Sequence, residues 1–388
     1  MRKPAAKPYP WLRALELDAR ETMTTETVEA AQIVLPCKDL DATLAFFTDR
    51  LGFRLETIHP ADDPSVAVIS GYGVRLELAR GGDGAPGVLR LLCEDPRKVA
   101  DGAAELTAPN GTRIELVDAD PPLVVPPVQQ EFVVTKHADA NWGVGRAGMR
   151  YRDLIPGRLG GSFIASHIEI PTGGLVPDYV HFHKVRFQMI YNYKGWVRLV
   201  YEDQGPEFIM KAGDCVLQPP TIRHRVLECS DAFEVVEIGC PAEHETFGDL
   251  EMTLPTGVFN PDRDFGGQRF NRHDADQATW HPFRLDGFEH RDIGIADATD
   301  GLAGVRVARV SGTPTAKSVQ HDAEFLFLFV LEGTLTLESE GHGDHELGAR
   351  DSVVLPAGMP YAFADCSTDL EFLEVALPAS FATESVES

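Results

Sequence analysis

Two histidines separated by one residue, His181-Phe182-His183, carry the clearest chemical signal in the chain. On a β-strand, residues i and i+2 share a face, so both imidazoles point the same way. Gln188 follows four intervening residues later, and Gly195 is placed to turn a strand pair. A third imidazole, His224, ends the run Pro219-Pro220-Thr221-Ile222-Arg223-His224 at the start of another strand. Three neutral imidazoles converging on a barrel interior form a site for a first-row divalent metal. Arg186 and Arg223 flank the histidines and could receive an anionic group of a substrate. Tyr179, Tyr191 and Trp196 would add aromatic walls, and Gln218 precedes the Pro219 turn. His167, in ASHIEI, reads as a satisfied structural histidine rather than a ligand.

These residues need a scaffold of strands, and the pattern around them supplies one. From about residue 145 onward, short strands alternate with Gly/Pro turns and helical periodicity is almost absent, which predicts an all-β barrel or sandwich. Two blocks are alike. HFHKVRFQMIYNYKGWVRLVYEDQGPEFIMKAGDCVLQPPTIRHRV and HDAEFLFLFVLEGTLTLESEGHGDHELGARDSVVLPAGMPYAF share a strand, a Gly turn, a strand, an acidic loop and an apolar strand ending in Pro. That is an internal repeat of long period, so a duplicated β-domain. The apolar run HDAEFLFLFVLEG reads as a buried strand. Ahead of the repeat, AAQIVLP reads as a strand and Asp39 caps a helix over LDATLAFFTDRL, with Leu40, Leu44, Phe47 and Leu51 on one face and Gly52 at its end. Three further strands complete a βαβββ unit. A shorter pass follows, with a turn at Asn110-Gly111, and PPLVVPPVQQ reads as an extended linker.

The histidine pattern resembles the cupin family, whose two motifs are G-x5-H-x-H-x4-E-x6-G and G-x5-P-x-G-x2-H. Here the first reads His181-x-His183-x4-Gln188-x6-Gly195, with its leading glycine displaced by one residue to Gly174. The second reads Gly213-x5-Pro219-x-Thr221-x2-His224. Gln188 replaces the usual glutamate ligand and Thr221 a turn glycine. A neutral amide leaves a divalent site near +2 and binds weakly, so the centre would act as three histidines with an exchangeable position. Open positions suit a chelating substrate and O2. The resemblance therefore implies a dioxygenase that cleaves diketones, thiols or hydroxylated aromatics. The same template on the second block gives Val319-x-His321-x4-Leu326-x6-Gly333 and Arg350-x5-Pro356-x-Gly358-x2-Tyr361. One imidazole cannot hold such a metal, so this copy is expected to be structural.

QIVLPCKDLDATLAFFTDRLGFRLETI, VRLELARG and PNGTRIELVDAD resemble the vicinal-oxygen-chelate fold of glyoxalases and extradiol dioxygenases. Carried over, that family's ligand positions fall on Gln32, Glu77, Val88 and Glu115, of which Val88 cannot bind metal. The second module is also short. The domain is expected to be degenerate; a second metal site on Gln32, Glu77 and Glu115 is the alternative.

Composition narrows the partners. The 388 residues carry 60 acidic against 35 basic side chains, a net charge of −25, which disfavours nucleic acid and anionic membranes. The six cysteines have no paired spacing, no apolar run spans a bilayer, and residues 1–22 have no apolar core of a signal peptide. These features predict a cytoplasmic location, with residues 1–22 as an extension ahead of Met23. The expected fold is mainly β: a tail at 1–24, a small α+β vicinal-oxygen-chelate-like domain at 25–120, a linker at 121–145, a metal-binding cupin barrel at 146–250, a connector at 251–290 and a second, metal-free cupin barrel at 291–388. The expected ligands are His181, His183, Gln188 and His224 around one divalent metal, Fe(II) first, with Zn, Mn or Ni as alternatives. Arg223, Arg186 and Tyr191 are the expected catalytic groups, small-molecule substrate and O2 the expected partners, and a homodimer the expected assembly. Two other functions stay open: a non-oxidative isomerase, cyclase or lyase with the metal as Lewis acid, and a ligand-binding regulatory cupin without turnover.

Overall fold

The computed structural model describes residues 31–60, 63–82, 84–99, 102–145 and 148–386. The expected extension at 1–22 lies outside them. The chain divides into two compact units, residues 1–122 and 123–388.

The first unit holds β1 (Ile33–Cys37), α1 (Leu40–Ala45), β2 (Arg54–His59), β3 (Val66–Gly71), β4 (Val74–Arg80), β5 (Val88–Cys93), α2 (Pro96–Val99), β6 (Glu105–Thr107) and β7 (Arg113–Asp118). Asp39 caps α1 by accepting from the Ala42 amide at 3.0 Å. The helix then widens into a five-residue π-type turn over Phe46–Arg50. Leu40, Phe47 and Leu51 nonetheless bury together, because three- and four-residue spacing keeps one face inward. The strands form two sheets, β1-β4-β3-β2 and β5-β7-β6. Both sheets contribute to one core, Leu76 and Leu78 from the first, Ile114 and Leu116 from the second.

The second unit holds two barrels. β8 (Val133–Thr135), β9 (Gly143–Val144), β10 (Arg150–Asp153), β11 (Ile164–Ile170), β12 (Gly174–Leu175), β13 (His181–His183), β14 (Phe187–Lys194), β15 (Trp196–Tyr201), β16 (Phe208–Lys211), β17 (Cys215–Leu217), β18 (His224–Cys229), β19 (Phe233–Cys240), β20 (Thr246–Gly248) and β21 (Asn271–His273) come first. All but β8 build barrel 1, from a seven-stranded sheet β21-β17-β14-β19-β11-β10-β9 facing β16-β15-β18-β13-β20, with β12 on β18. Then follow β22 (His281–Pro282), β23 (Phe288–Asp292), α3 (Ile295–Ala298), β24 (Gly304–Val310), β25 (Val319–His321), β26 (Phe325–Glu332), β27 (Thr334–Ser339), β28 (Gly343–Gly348), β29 (Ser352–Val354), β30 (Tyr361–Ala364), β31 (Glu371–Leu377) and β32 (Thr383–Ser385). They build barrel 2 from β22-β23-β24-β31-β26-β29-β8 facing β28-β27-β30-β25-β32. The stretch expected as a linker thus contributes an edge strand to barrel 2, and the connector contributes β21 to barrel 1.

Period-two alternation sorts the side chains into three cores. Ile168, Val197 and Val235 fill barrel 1, and Leu326, Leu328 and Leu337 fill barrel 2. Phe187, Met189, Phe325, Phe327 and Phe329 form a third core where the seven-stranded sheets meet. There Phe163 stacks on Phe325 with centroids 4.0 Å apart. β26 is therefore buried on both faces, which is why its sequence is a continuous apolar run rather than an alternating one. All six cysteines are free thiols, and no helix among the described residues is long and apolar enough to cross a membrane.

Candidate metal centre

β13 and β18 pair antiparallel with His181 directly opposite His224. Their rings stand 4.2 Å apart, and those of His181 and His183 stand 5.3 Å apart. One ligand nitrogen from each of the three histidines lies within 4.8 Å of the others. The backbone fixes which nitrogen that is. His181 Nδ1 lies 2.8 Å from the Tyr179 carbonyl, His224 Nδ1 lies 3.0 Å from that of Ile222, and His183 Nδ1 lies 3.2 Å from that of Glu245. A carbonyl only accepts, so each Nδ1 carries the proton and each Nε2 keeps its lone pair. Asp178, buried, adds a carboxylate oxygen 3.5 Å from His181 Nδ1 and is itself fixed by the Val226 amide at 2.9 Å.

The turn before His224 holds the two histidine strands together. The Thr221 amide donates to the His183 carbonyl at 2.8 Å. Thr221 takes the left-handed conformation, φ 65°, that the motif's glycine would adopt without strain. At Gly195, φ 77°, an added Cβ would sit 2.3 Å from Ser230 Oγ, so that turn admits only glycine.

The histidines line a cavity of about 100 Å3 whose other walls are mainly Met149, Ile168, Ile190, Leu199, Val226 and Val235. The polar exceptions are Tyr151, Tyr201, Gln218 and Glu237. Gln218 donates to the Tyr201 hydroxyl at 3.0 Å, and the Tyr201 ring stacks along His224, 5.5 Å away. Gln188 is buried (1% exposed), and its amide donates to Glu237 Oε1 at 2.7 Å. Sequence reasoning missed Glu237. The signal was a glutamate on the core-facing parity of the apolar strand FEVVEIGC, where an acid is rare unless it is used or paired.

The three expected catalytic groups do not line this cavity. Tyr191 lies on the opposite face of β14 from Gln188 and Ile190. Its hydroxyl meets Arg291 at 3.2 Å in the core between the barrels, and burial pushes its phenol up. Arg186 reaches barrel 2, bonding Glu324 at 2.9 and 3.2 Å. Arg223 precedes an inward residue and so points outward. Its guanidinium lies 4.2 Å from the centre of the Phe182 ring, bonds Asp249 at 3.2 Å and returns to the Thr221 carbonyl at 3.2 Å. It clamps the turn onto the strand that carries both histidines. Tyr179 offers its carbonyl to His181, and His167 faces the core between the barrels, 2.9 Å from Glu234.

In barrel 2, Val319 and Leu326 are apolar core and His321 is bound to the Leu355 carbonyl at 3.1 Å. At the register position of His224 stands Tyr361, whose hydroxyl meets Arg284. In the first unit, Gln32 donates to Glu77 at 2.6 Å, while Glu115 is held by Arg90 and Arg113, both at 2.7 Å. Those two arginines keep the Glu115 carboxyl below its ordinary range, chiefly through the Arg90 hydrogen bond. Val88 is exposed. Among the described residues, Glu77 and Glu115 enter no cluster of metal-ligating groups.

Comparison with known proteins agrees with this architecture. Residues 30–122 match the Glyoxalase/Bleomycin resistance protein/Dioxygenase superfamily, and residues 307–376 match the Cupin domain. The cupin match falls on the barrel without the histidine triad. No curated protein matches the chain. Among solved structures, salicylate 1,2-dioxygenase from Pseudaminobacter salicylatoxidans is similar at TM-score 0.50 and 15% identity, over 68% of this chain and 90% of that one. A variant of that enzyme in complex with gentisate is similar at TM-score 0.51 and 14% identity, over 68% and 88% of the two chains. A Lactobacillus farciminis oxalate decarboxylase in a formate complex gives TM-score 0.49 and 15% identity, over 68% and 92%. Residues 30–122 thus match a glyoxalase-superfamily domain and residues 307–376 a cupin domain, and the second unit has the two-barrel fold of the salicylate 1,2-dioxygenase structures.

Proposed function

We propose that barrel 1 is the metal centre of a dioxygenase acting on a small, oxygen-chelating organic substrate such as a diketone or a phenol. The observation that carries this reading is the convergence of three histidine ring nitrogens within 4.8 Å of one another at the wall of a mainly apolar cavity. That donor set fits a first-row divalent ion, and Fe(II) is the ion that suits oxygen chemistry. Bound there, it would supply the redox-active Lewis acid between substrate and O2.

The protein's own contribution is placement and exclusion. His181, His183 and His224 would hold the ion at the wall of the cavity they line. Met149, Ile168, Ile190 and Val235 exclude water and accept a hydrocarbon frame. Among the described residues no lysine or arginine lines the cavity, so a bound ion would supply the positive charge for an anionic oxygen of the substrate. A volume near 100 Å3 is below the roughly 300–1,000 Å3 of drug-sized sites, which favours a small substrate.

A non-oxidative lyase or isomerase is the second reading, favoured by Glu237, a carboxylate in the cavity that could move a proton. Metal analysis of the protein as isolated, with O2 uptake on diketones, phenols and thiols, separates the two. The dioxygenase reading predicts bound iron and substrate-dependent O2 consumption. Zinc with no O2 use on any of these classes refutes it. His224→Ala should lose the metal.

A further inference from the structure

The cavity of barrel 1 carries two polar groups whose hydrogen-bonding capacity the chain does not use up. The buried Tyr201 stacks along His224, and its hydroxyl accepts from Gln218 at 3.0 Å. Its own proton meets no acceptor among the described residues. Glu237 accepts from Gln188 at 2.7 Å through Oε1, and its second oxygen meets no donor among them. Both side chains line the cavity together with the three histidines. One spare donor and one spare acceptor thus share a small space. The two glutamines that hold them are linked as well, since the Gln218 amide N–H donates to the Gln188 carbonyl at 2.9 Å.

Barrel 2 repeats this backbone without its polar side chains. The Leu355 N–H donates to the Leu326 carbonyl at 3.0 Å, with leucines where barrel 1 has Gln218 and Gln188. Ser339 stands opposite Tyr361, as Tyr201 stands opposite His224. Glu374 pairs with Leu328, as Glu237 pairs with Ile190, but meets Arg284 instead of an amide. The fold therefore tolerates buried leucine at both glutamine positions, and burying an amide in their place costs free energy unless it is used.

We propose that Tyr201 and Glu237 read a hydroxyl of the substrate, Tyr201 donating to its oxygen and Glu237 accepting its proton, with Gln218 and Gln188 as the residues that position them. The substrate class narrows to a small, mainly apolar molecule with one hydroxyl besides the oxygen bound at the ion. A site built around a hydroxyl rejects the analogue lacking it, because its own polar groups are then left buried and unpaired. This rests on the reading of barrel 1 as a metal centre, and the test keeps the two apart.

The full chain is stripped with a chelator and reloaded anaerobically with Co(II), and cobalt is counted by elemental analysis. Calorimetry then measures the binding of benzoate, 3-hydroxybenzoate and 4-hydroxybenzoate. A carboxylate can take the ion, and a hydroxyl at position 3 or 4 of the same ring cannot reach that ion. One hydroxybenzoate should bind the parent at least about tenfold more tightly than benzoate, as a hydrogen bond to a charged group provides. Tyr201→Phe removes the donor. Glu237→Gln, still paired with Gln188, turns a donor to the cavity in place of the acceptor. Each should keep one Co(II) per chain and the parent's benzoate affinity, while the preference shrinks to about threefold or less. Gln188→Ala should shrink the same ratio, which a general loosening of the barrel would not move. Equal binding of the three probes by the parent, or none, overturns the proposal. So does a preference intact in both Tyr201→Phe and Glu237→Gln, or loss of cobalt from either. An intact preference in Gln188→Ala overturns its positioning role. A parent chain that binds no Co(II) overturns the metal centre itself and this proposal with it.

Discussion

Arg284→Met puts the comparison of the barrels on an energetic footing. Glu374 is fully buried, and Arg284 is its contacting cation. Arg284 Nη1 meets Glu374 Oε2 directly. Two unit charges about 4 Å apart at an effective dielectric near 20 attract by about 4 kcal/mol. Arg284 also covers Phe283 at 4.5 Å and Phe381 at 5.0 Å, each such contact being worth about 0.5–1 kcal/mol. Arg306 offsets part of the loss, from 3.7 Å, but shares its charge with Asp292. The expected destabilisation is about 3–5 kcal/mol, the range for removing one partner of a buried pair. Urea unfolding at pH 7.5, followed by tryptophan fluorescence, should show the midpoint falling by about 1 M or more. Arg284→Met/Glu374→Leu removes both charges and should return to within about 1 kcal/mol of the parent. A single variant whose midpoint stays within about 0.3 M of the parent refutes the reasoning. So does a double variant as unstable as the single one.

Three further outcomes are expected. Phe325→Ala removes a ring that is 1% exposed and stacked at 4.0 Å on Phe163, so thermal unfolding should show a loss of about 3–5 kcal/mol. Thr221→Gly relieves a β-branched residue held at φ 65°, and calorimetry should show a gain of about 1 kcal/mol after the entropy of glycine is deducted, with metal content unchanged. Burial holds His137, His167, His273, His290 and His321 below the ordinary imidazole value. The unfolded chain therefore binds more protons than the folded one below about pH 6.5, and stability falls as pH drops through that value. Urea midpoints of metal-free protein from pH 7.5 to 5.5 should decline, and a flat profile refutes the assignment.

The three histidines were legible because strand periodicity and motif spacing act over short distances. His181 and His183 share a face by period two, and His224 follows a proline turn. Arg223, Arg186 and Tyr191 look equally close in the sequence, yet each faces away from the cavity. A one-residue step reverses the face of a strand. Arg223 adjoins His224 and therefore points outward, where it clamps Phe182 and Thr221. Glu237 had the right parity but no motif to mark it, because its partner Gln188 lies across a strand pairing. α1 was readable from Asp39 and its apolar face, although the widened turn at Phe46–Arg50 left no trace in the pattern. β8 was invisible. Its three residues follow a proline-rich stretch, and only Ser352–Val354, far along the chain, make them a strand.

That pairing bears on synthesis. Val133–Thr135 is made before either barrel, yet its hydrogen-bonding partner in β29 emerges only when almost the whole chain has been translated. The partner sheet of barrel 2 also needs β31, later still. The β8 edge therefore stays unpaired through most of elongation, the condition in which strand edges recruit foreign strands. A ribosome that stalls or terminates before Val354 releases a chain whose first barrel can close while its leading strand remains open to other chains. Such truncated products should associate with one another more readily than the full-length protein does.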